Sequence, residues 1–323
     1  MRRFLAGRLL QAVIVVFLVT TVTFVLIHLA PGDPIAVALD RPGVTEAIRD
    51  RMRVEYGLDR PIGEQYVRWL GNVATGELGY SFSFRRPVRD VIAEALPRTI
   101  LLAGLAFVFS FALGTIVGLV QADRPNGRRD RWLGRALLLM FSMPDFWLAL
   151  IVLVLFAYRL PLLPPSGIVD PVMYDYLSAS GRFIDRLRHL VLPVGTLTLL
   201  TTAAISRQQR SALLEVLPSD WMRTALAKGL SYRAALRRHA FRNALLPTIT
   251  LAGLTLPGLA AGSLFIEKVF SWPGMGLITA NAIGSRDYPL LTAGVLIISI
   301  AVAMGTLVAD VAAAAADPRI RVS

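Results

Sequence analysis

Long apolar runs constrain the fold of this chain more than any other feature of its sequence. Six stretches, each near the ~20 residues that a helix needs to cross a bilayer, recur along the 323 residues. Apolar residues make up 55% of the chain and charged residues only 17%, which is unlike a soluble domain. The runs predict an all-α integral membrane protein with spans at 9–30, 97–121, 133–158, 189–211, 244–266 and 290–312.

Basic residues predict the orientation of these spans. The connections 122–135 and 212–243 are rich in arginine, whereas the connection 31–96 is nearly balanced in charge. Short basic loops stay in the cytoplasm, so we expect these loops and both termini, including the tail 313–323, on the cytoplasmic side of the cell membrane. The first run is too long for the core of a signal peptide. This placement explains the net charge of +12 without a nucleic-acid partner.

The largest polar segment on the predicted outer side is 31–96. Apolar residues at helical spacing predict helices over 45–56 and 63–74. Charges of alternating sign favour a small folded extracytoplasmic cap between the first two spans over a flexible tail. Farther along the chain, Phe270–Gly276 combines aromatic residues and glycines. It predicts a tight re-entry at the lipid interface, where tryptophan is enriched.

A basic segment rich in small residues, 220–247, lies between the fourth and fifth predicted spans. Ser219 or Asp220 can cap a short helix that ends at Gly229, and Ser231 can cap a second helix that runs into Arg242. The small residues Thr224, Ala225 and Ala227 leave the first helix with a shallow surface, which suits close approach to a groove in a cytoplasmic partner. From spacing alone, an ordinary basic loop explains the segment at least as well.

Motifs for chemistry are absent from the sequence. Lys228 and Lys268 are the only lysines, and neither completes the phosphate-binding pattern G-x-x-x-x-G-K-[ST]. The chain has no cysteine, and its three histidines do not lie at metal-binding spacing. We therefore predict no catalytic residue, no metal ligand and no cofactor bound directly. ATP hydrolysis, if it drives this protein, must be supplied by a partner.

Three positions within the predicted spans are candidates for a solute pathway. Asp145 lies in the third span, and an ionisable group at that depth faces protein or a water-filled route. The alternative is a carboxylate that pairs with backbone groups freed by a kink at Pro144. Pro257 and Gly258 in the fifth span predict either a flexible helix along the pathway or close packing through small residues.

The segment 220–247 resembles the EAA loop of permeases in binding-protein-dependent ABC importers, through Ala225, Gly229 and Leu246-Pro247. Arg223-Thr224 stands where the general motif has Glu-Ala, as in the dipeptide and oligopeptide subfamily. Six further motifs are similar to that subfamily, in order along nearly the whole chain. They are Ala30–Pro34, Tyr56–Pro61, Glu77–Ser81, Glu267–Gly276, Arg286–Pro289 and Asp317–Arg321. The first follows span 1 directly, as in the B-type subunit.

This resemblance implies a type I importer permease fold and inward transport of di- or oligopeptides. It also implies several partners: a C-type permease, two cytoplasmic ATPase domains that bind ATP and Mg²⁺, an extracytoplasmic solute-binding protein and membrane lipid. The helix at 220–229 would be the coupling helix, lying in a groove of an ATPase. The residues implied in coupling are Arg223, Thr224, Ala225, Lys228, Gly229, Leu246 and Pro247.

Three alternatives remain open at the level of sequence. The same subfamily pattern serves nickel chelates and other small solutes. A secondary transporter requires buried charge pairs on several spans, whereas Asp145 is nearly alone. An intramembrane enzyme requires a nucleophile and base, or metal ligands, at membrane depth, and the sequence contains neither.

Overall fold

The computed structural model describes residues 2–29, 54 and 59–316. The predicted helix 45–56 and the motif 317–321 therefore lie outside the described residues, apart from Val54. A two-stranded hairpin, β1 (Tyr80–Ser81) and β2 (Arg86–Pro87), accompanies the helices. The helices are α1 (Arg2–Leu29), α2 (Ile62–Thr75), α3 (Val88–Asp123), α4 (Arg128–Ser142), α5 (Asp145–Leu153), α6 (Ala179–Val216), α7 (Asp220–Ala227), α8 (Tyr232–Ala235), α9 (Phe241–Gly262), α10 (Leu264–Val269), α11 (Met275–Gly284) and α12 (Tyr288–Ala316).

Within the described part of the chain, four helices are long and apolar enough to cross a membrane: α1, α3, α6 and α12. A fifth crossing results if α4 and α5 count as one broken span. The predicted span 244–266 falls on α9 and α10, and the side chains of α9 are described only in part. The structure therefore confirms a mainly helical chain with several helices that could span a membrane, while the number of six spans stays a prediction.

The third predicted span, 133–158, falls on two helices, α4 and α5, rather than on one. α4 and α5 meet at an angle of 106°. Pro144 has no N–H to continue the hydrogen-bond ladder, and its ring excludes the helical conformation at Met143. The ψ angle of Met143 is accordingly 137°. A short π-helical turn, Val154–Arg159, follows α5.

The second and fourth predicted spans are longer in the structure than the sequence indicated. α3 begins at Val88, so the predicted start at Pro97 falls inside the helix.

α3 and α6 pack closely because α3 has glycines where the two helices touch. A Cβ on Gly114 would lie 2.6 Å from Ile205 Cγ2, and a Cβ on Gly118 would lie 2.9 Å from the Ser206 carbonyl oxygen.

The polar segment after α1 folds against α1 in its described part. α2 agrees with the predicted helix 63–74 and ends at Gly76, which has a φ of +82°. Phe24 of α1 stacks on His28 and meets Tyr66 and Trp69 of α2 at ring-centroid distances of 5.2 and 5.4 Å. These contacts hold α2 on one end of the first membrane helix.

The aromatic motif Phe270–Gly276 lies in the core, and its predicted position at the lipid interface is wrong for the aromatic side chains. Trp272 is 3% exposed and donates its indole N–H to the Arg98 carbonyl oxygen at 3.2 Å. Phe270 is also buried, in the same apolar cluster as Leu102 and Leu192. The rings of Phe270 and Trp272 therefore contact residues of α3 and α6 instead of lipid.

Candidate functional site

The docking segment, residues 220–247, is built onto the end of the α3–α6 pair. One face of α7 is buried, with Met222 1% exposed and Ala225 7% exposed. Both side chains belong to an apolar cluster formed with the ends of α3 and α6 and with the segment that leads into α9. The other buried members of this cluster are Ala122, Ala212, Leu213, Ala235, Leu236, Ala240 and Ala244. α7 is thus fixed to its own subunit rather than suspended in a loop.

The end of α7 confirms the structural role predicted for Gly229. Gly229 adopts a φ of +84°, a conformation that costs other residues energy. Its N–H donates to the Leu226 carbonyl oxygen at 2.9 Å, and the Leu230 N–H donates to the Ala225 carbonyl oxygen at 3.3 Å. These two bonds form a Schellman motif, which satisfies carbonyls that the helix end would otherwise leave unpaired. No heavy atom lies within 4 Å of a Cβ built on Gly229, so the space beside it is open.

The outer face of α7 differs from the one that the sequence predicted. Arg223, Thr224, Ala227 and Lys228 are exposed. Ala225 lies three residues after Met222, so the two side chains share one face of the helix, and that face is buried in the subunit. The small side chain of Ala225 therefore does not contribute to a shallow outer surface. The Arg223 guanidinium lies 3.6 Å from the Asp220 carboxylate. The exposed surface of α7 therefore combines small side chains and positive charge with two large apolar side chains, Trp221 and Leu226, which are each 40% exposed.

The second half of the segment forms one continuous helical path. The Ser231 hydroxyl accepts the Ala234 N–H at 3.4 Å, which confirms the predicted cap. From there α8 passes through a π-helical stretch, Leu236–Ala240, into α9. Leu246 and Pro247 lie inside α9, so the segment runs into this helix without a break. A membrane helix tolerates proline at such a position because neighbouring groups satisfy the freed carbonyl.

The predicted pathway residues lie apart from the docking segment. Asp145 is the first residue of α5, at the sharp corner after α4, and it is exposed in this subunit. It is therefore not a carboxylate buried at mid-span, because the break at Pro144 places it at a helix start, where negative charge is favoured. Pro257 and Gly258 lie in α9. Gly258 is exposed, and no heavy atom lies within 4 Å of a Cβ built there.

A buried carboxylate that sequence reasoning left without a role joins three elements. Glu267 of α10 is fully buried and accepts the Thr99 hydroxyl at 2.7 Å, the Ser263 hydroxyl at 3.0 Å and the Leu277 N–H at 2.9 Å. Burial raises the pKa of its carboxyl, and these hydrogen bonds partly oppose that shift. The Thr99 hydroxyl also accepts the Met275 N–H at 2.7 Å. We call this group the Glu267 clamp.

The glycines of the motif Glu267–Gly276 are required by this clamp. A Cβ on Gly274 would lie 2.4 Å from the Thr99 hydroxyl oxygen and 2.5 Å from Glu267 Oε1. A Cβ on Gly276 would lie 2.6 Å from the Leu264 Cα. The carboxylate thus occupies space that any side chain at either position would fill.

A second buried carboxylate connects two motifs that are distant in sequence. Asp287, between α11 and α12, accepts the N–H and the hydroxyl of Ser83 at 3.0 and 2.6 Å, and it also accepts the Ser81 hydroxyl. Its other oxygen accepts the Leu290 N–H at 3.3 Å. The hairpin β1–β2 is thereby held against the start of α12. The only earlier signal was that Glu77–Ser81 and Arg286–Pro289 both matched the same subfamily.

A third polar cluster connects α3, α4 and α6 near the docking segment. Asp130 is 5% exposed and forms a bidentate pair with Arg210, at 2.8 and 2.7 Å. Gln121 donates to the same carboxylate at 3.1 Å and accepts the Ser206 hydroxyl at 2.9 Å. Paired charges of this kind fix the relative position of the three helices.

Within residues 2–29 and 59–316, no group of three or more His, Cys, Asp or Glu side chains is placed to hold a metal ion.

Comparisons with known proteins agree with this architecture. Residues 94–322 match the family described as the binding-protein-dependent transport system inner membrane component, and residues 1–103 match its N-terminal domain family. A putative peptide permease protein of Brucella ovis is 38% identical over 325 residues, which is 100% of both chains. The oligopeptide transport system permease protein AppB of Bacillus subtilis is 34% identical and covers 99% of each chain.

A further relative is the di/tripeptide transport system permease protein DppB of Pseudomonas aeruginosa, 37% identical over 99% of each chain. Among solved structures, one of an amino acid ABC transporter with histidines covers 72% of this chain and 94% of its own, at 15% identity and a TM-score of 0.48. The family matches and the full-length relatives agree with the resemblance carried by the docking segment. The chain belongs to the family of inner membrane components of binding-protein-dependent transport systems, and it is a permease of an ABC importer in the cytoplasmic membrane.

Proposed function

We propose that this permease forms part of the route by which di- and oligopeptides enter the cell, with ATP hydrolysed on separate subunits. The names of the full-length relatives, which are peptide, oligopeptide and di/tripeptide permeases, support the choice of substrate. The complete transporter also contains a C-type permease, two ATPase domains that bind ATP and Mg²⁺, and an extracytoplasmic binding protein. Both termini and the docking segment lie in the cytoplasm.

The observation that carries the mechanism is the two-sided character of α7. Its inner face, Met222 and Ala225, is buried against the ends of α3 and α6, while Arg223, Thr224, Ala227 and Lys228 remain exposed. An ATPase groove that receives the exposed face would move α7, and the buried face would transmit that movement to the membrane helices. Close packing makes such transmission effective, because protein interiors yield little to compression.

Ala227 offers the sharpest test of this coupling. It is exposed on the outer face of α7, so Ala227→Trp leaves the inner packing of the subunit intact and obstructs a partner groove. We expect loss of ATP-driven uptake and of ATPase co-purification, with normal amounts of permease in the membrane. Ala74→Trp is the matched control, since Ala74 is exposed on α2. Full uptake by the Ala227 variant, with the ATPase still bound, would refute the assignment of α7 as the coupling helix.

The transported solute requires a separate experiment. ATP-dependent uptake should be measured in vesicles that contain the complete complex, with labelled dipeptide and with unlabelled dipeptides, oligopeptides and a nickel chelate as competitors. We expect the peptides to compete and the nickel chelate not to compete. Competition by the nickel chelate alone would replace the peptide assignment, while the coupling mechanism at α7 would be unaffected.

A further inference from the structure

A cavity rich in arginine lies beside the docking segment, between the end of α3, the start of α4 and the α8 region. Its volume is about 640 Å³. Within the described residues its lining contains five arginines and one carboxylate, that of Asp123. The arginines are Arg124, Arg128, Arg129, Arg233 and Arg237.

The positive charge of this cavity is largely uncompensated. The Asp123 carboxylate lies 3.6 Å from the Arg233 guanidinium and so forms an ion pair with that residue. In residues 59–316, no ion pair is formed by Arg124, Arg128 or Arg129. All five arginines are exposed, so their charges are hydrated and accessible to a ligand. Such a cluster favours an anion that has several acceptor oxygens.

Part of the cavity lining is apolar, and two of these apolar residues belong to a membrane helix. Leu119 and Val120 line it from α3, one of the long apolar helices, and Leu236 lines it from the π-helical stretch. Val120 is 41% exposed and lies less than one helical turn before the end of α3. The cavity therefore combines an apolar surface at the end of a membrane helix with a ring of positive charge.

We propose that this cavity binds the headgroup of an anionic phospholipid. The phosphate lies among Arg124, Arg128 and Arg129, and the start of an acyl chain lies along Val120. The volume is within the ~300–1,000 Å³ common for small-molecule sites. Basic pockets at the membrane boundary are suited to anionic lipid headgroups, because the guanidinium groups pair with phosphate while the neighbouring helix contacts the acyl chains. The inference depends on the position of the chain in a membrane and not on the transported solute.

Lipid explains the site better than an acidic surface of the ATPase. A protein surface docked on the arginines would leave Val120 without a partner. A diacyl lipid covers Val120 and neutralises the arginines at the same time. A soluble phosphate would also pair with the arginines but would gain nothing from Val120. The apolar wall therefore distinguishes a lipid from both alternatives.

The test measures retention of lipid by the complete complex. The complex is purified from membranes that contain phosphatidylglycerol and phosphatidylcholine, and bound lipid is counted by native mass spectrometry. We expect selective retention of phosphatidylglycerol. In the variant Arg124→Gln/Arg128→Gln/Arg129→Gln, affinity should fall on the order of 100-fold, since each arginine near the surface contributes roughly fivefold. The triple Arg→Lys variant should retain most of the lipid and guards against a folding defect.

The matched control is Arg135→Gln/Arg238→Gln/Arg242→Gln, which removes the same charge from exposed arginines outside the cavity. It should retain phosphatidylglycerol as the wild type does. Equal loss in both triple variants, or equal retention of phosphatidylcholine, overturns the proposal. Displacement of the lipid by inorganic phosphate alone would reduce the site to a phosphate site. If the cavity variant loses ATPase binding but keeps its lipid, the arginines serve the protein partner instead.

Discussion

Gly274 offers the most quantitative test of how the structure is held together. Its replacement by alanine places a Cβ 2.4 Å from the Thr99 hydroxyl oxygen and 2.5 Å from Glu267 Oε1, inside the Glu267 clamp. Both contacts are far shorter than van der Waals distance, so Thr99 or Glu267 must move. Overpacking of this kind costs about 1–3 kcal/mol. Loss of one hydrogen bond to the charged carboxylate adds about 1.5–3 kcal/mol.

The expected destabilisation of Gly274→Ala is therefore about 3–6 kcal/mol. It should lower the Tm of the purified complex by roughly 6–12 °C, if each kcal/mol corresponds to about 2 °C in a chain of this size. Heating followed by tryptophan fluorescence is a suitable assay, because Trp272 packs next to the clamp and its indole bonds to Arg98. The matched control is Gly284→Ala at the opposite end of α11, where no heavy atom lies within 4 Å of an added Cβ.

A double-mutant cycle isolates the cause. Thr99→Ala alone removes the hydroxyl that bonds to Glu267 and to the Met275 N–H, so it should destabilise the wild type. In the Gly274→Ala background the same change also relieves the clash and should cost less. Equal Tm values for the Gly274 and Gly284 variants, or strict additivity of Thr99→Ala and Gly274→Ala, would refute this account of the motif.

Four further predictions concern the other buried groups. Asp287→Ala leaves the N–H groups of Ser83 and Leu290 unpaired and should lower the free energy of unfolding by about 2–4 kcal/mol. The loss should appear as faster hydrogen exchange in the hairpin 80–87, whereas Asp90→Ala at the surface should leave exchange unchanged. Arg210→Gln leaves the buried Asp130 carboxylate unpaired and should cost about 3–5 kcal/mol in thermal unfolding; the proposed pairing is wrong if Asp130→Asn does not restore part of that loss. Gly118→Ala should cost about 1–3 kcal/mol through its contact with Ser206, whereas Gly104→Ala on the same helix meets no atom within 4 Å and should be neutral. Burial raises the pKa of Glu267 in the folded state above its value in the unfolded state. The stability of the wild type relative to Glu267→Gln should therefore rise as the pH falls from above the folded-state pKa towards the unfolded-state pKa. A difference in Tm between the two proteins that is constant with pH would contradict this.

Local signals in the sequence predicted local structure well. The end of α7 at Gly229 and the cap at Ser231 follow from residues within one helical turn, so no distant partner is needed to predict them. The helix α3 begins before the predicted span at 97 because the charged residues Arg89, Asp90 and Glu94 interrupt the apolar run, whereas contacts of Val88 and Val91 extend the helix backwards.

Distant partners explain what the sequence did not reveal. Glu267 and Asp287 both stood inside recognised motifs, but their partners Thr99 and Ser81 lie 168 and 206 residues away. The inward orientation of Ala225 likewise depends on Leu213 and Leu236, which only the folded chain brings together. The angle between α4 and α5 at Pro144 was likewise not predictable, because the length of an apolar run contains no information about a sharp bend.

The Asp287 contact also has a consequence for the order of biosynthesis. The hairpin β1–β2 emerges from the ribosome long before Asp287, which lies 206 residues after Ser81. At about 5–20 residues per second, translation of that interval takes roughly 10–40 s. During this time Ser81 and Ser83 lack their native acceptor, so the region that precedes α3 acquires its final structure only after nearly the whole chain has been made. A chain released before α12 would therefore carry an unfinished N-terminal region, which a quality-control protease can recognise.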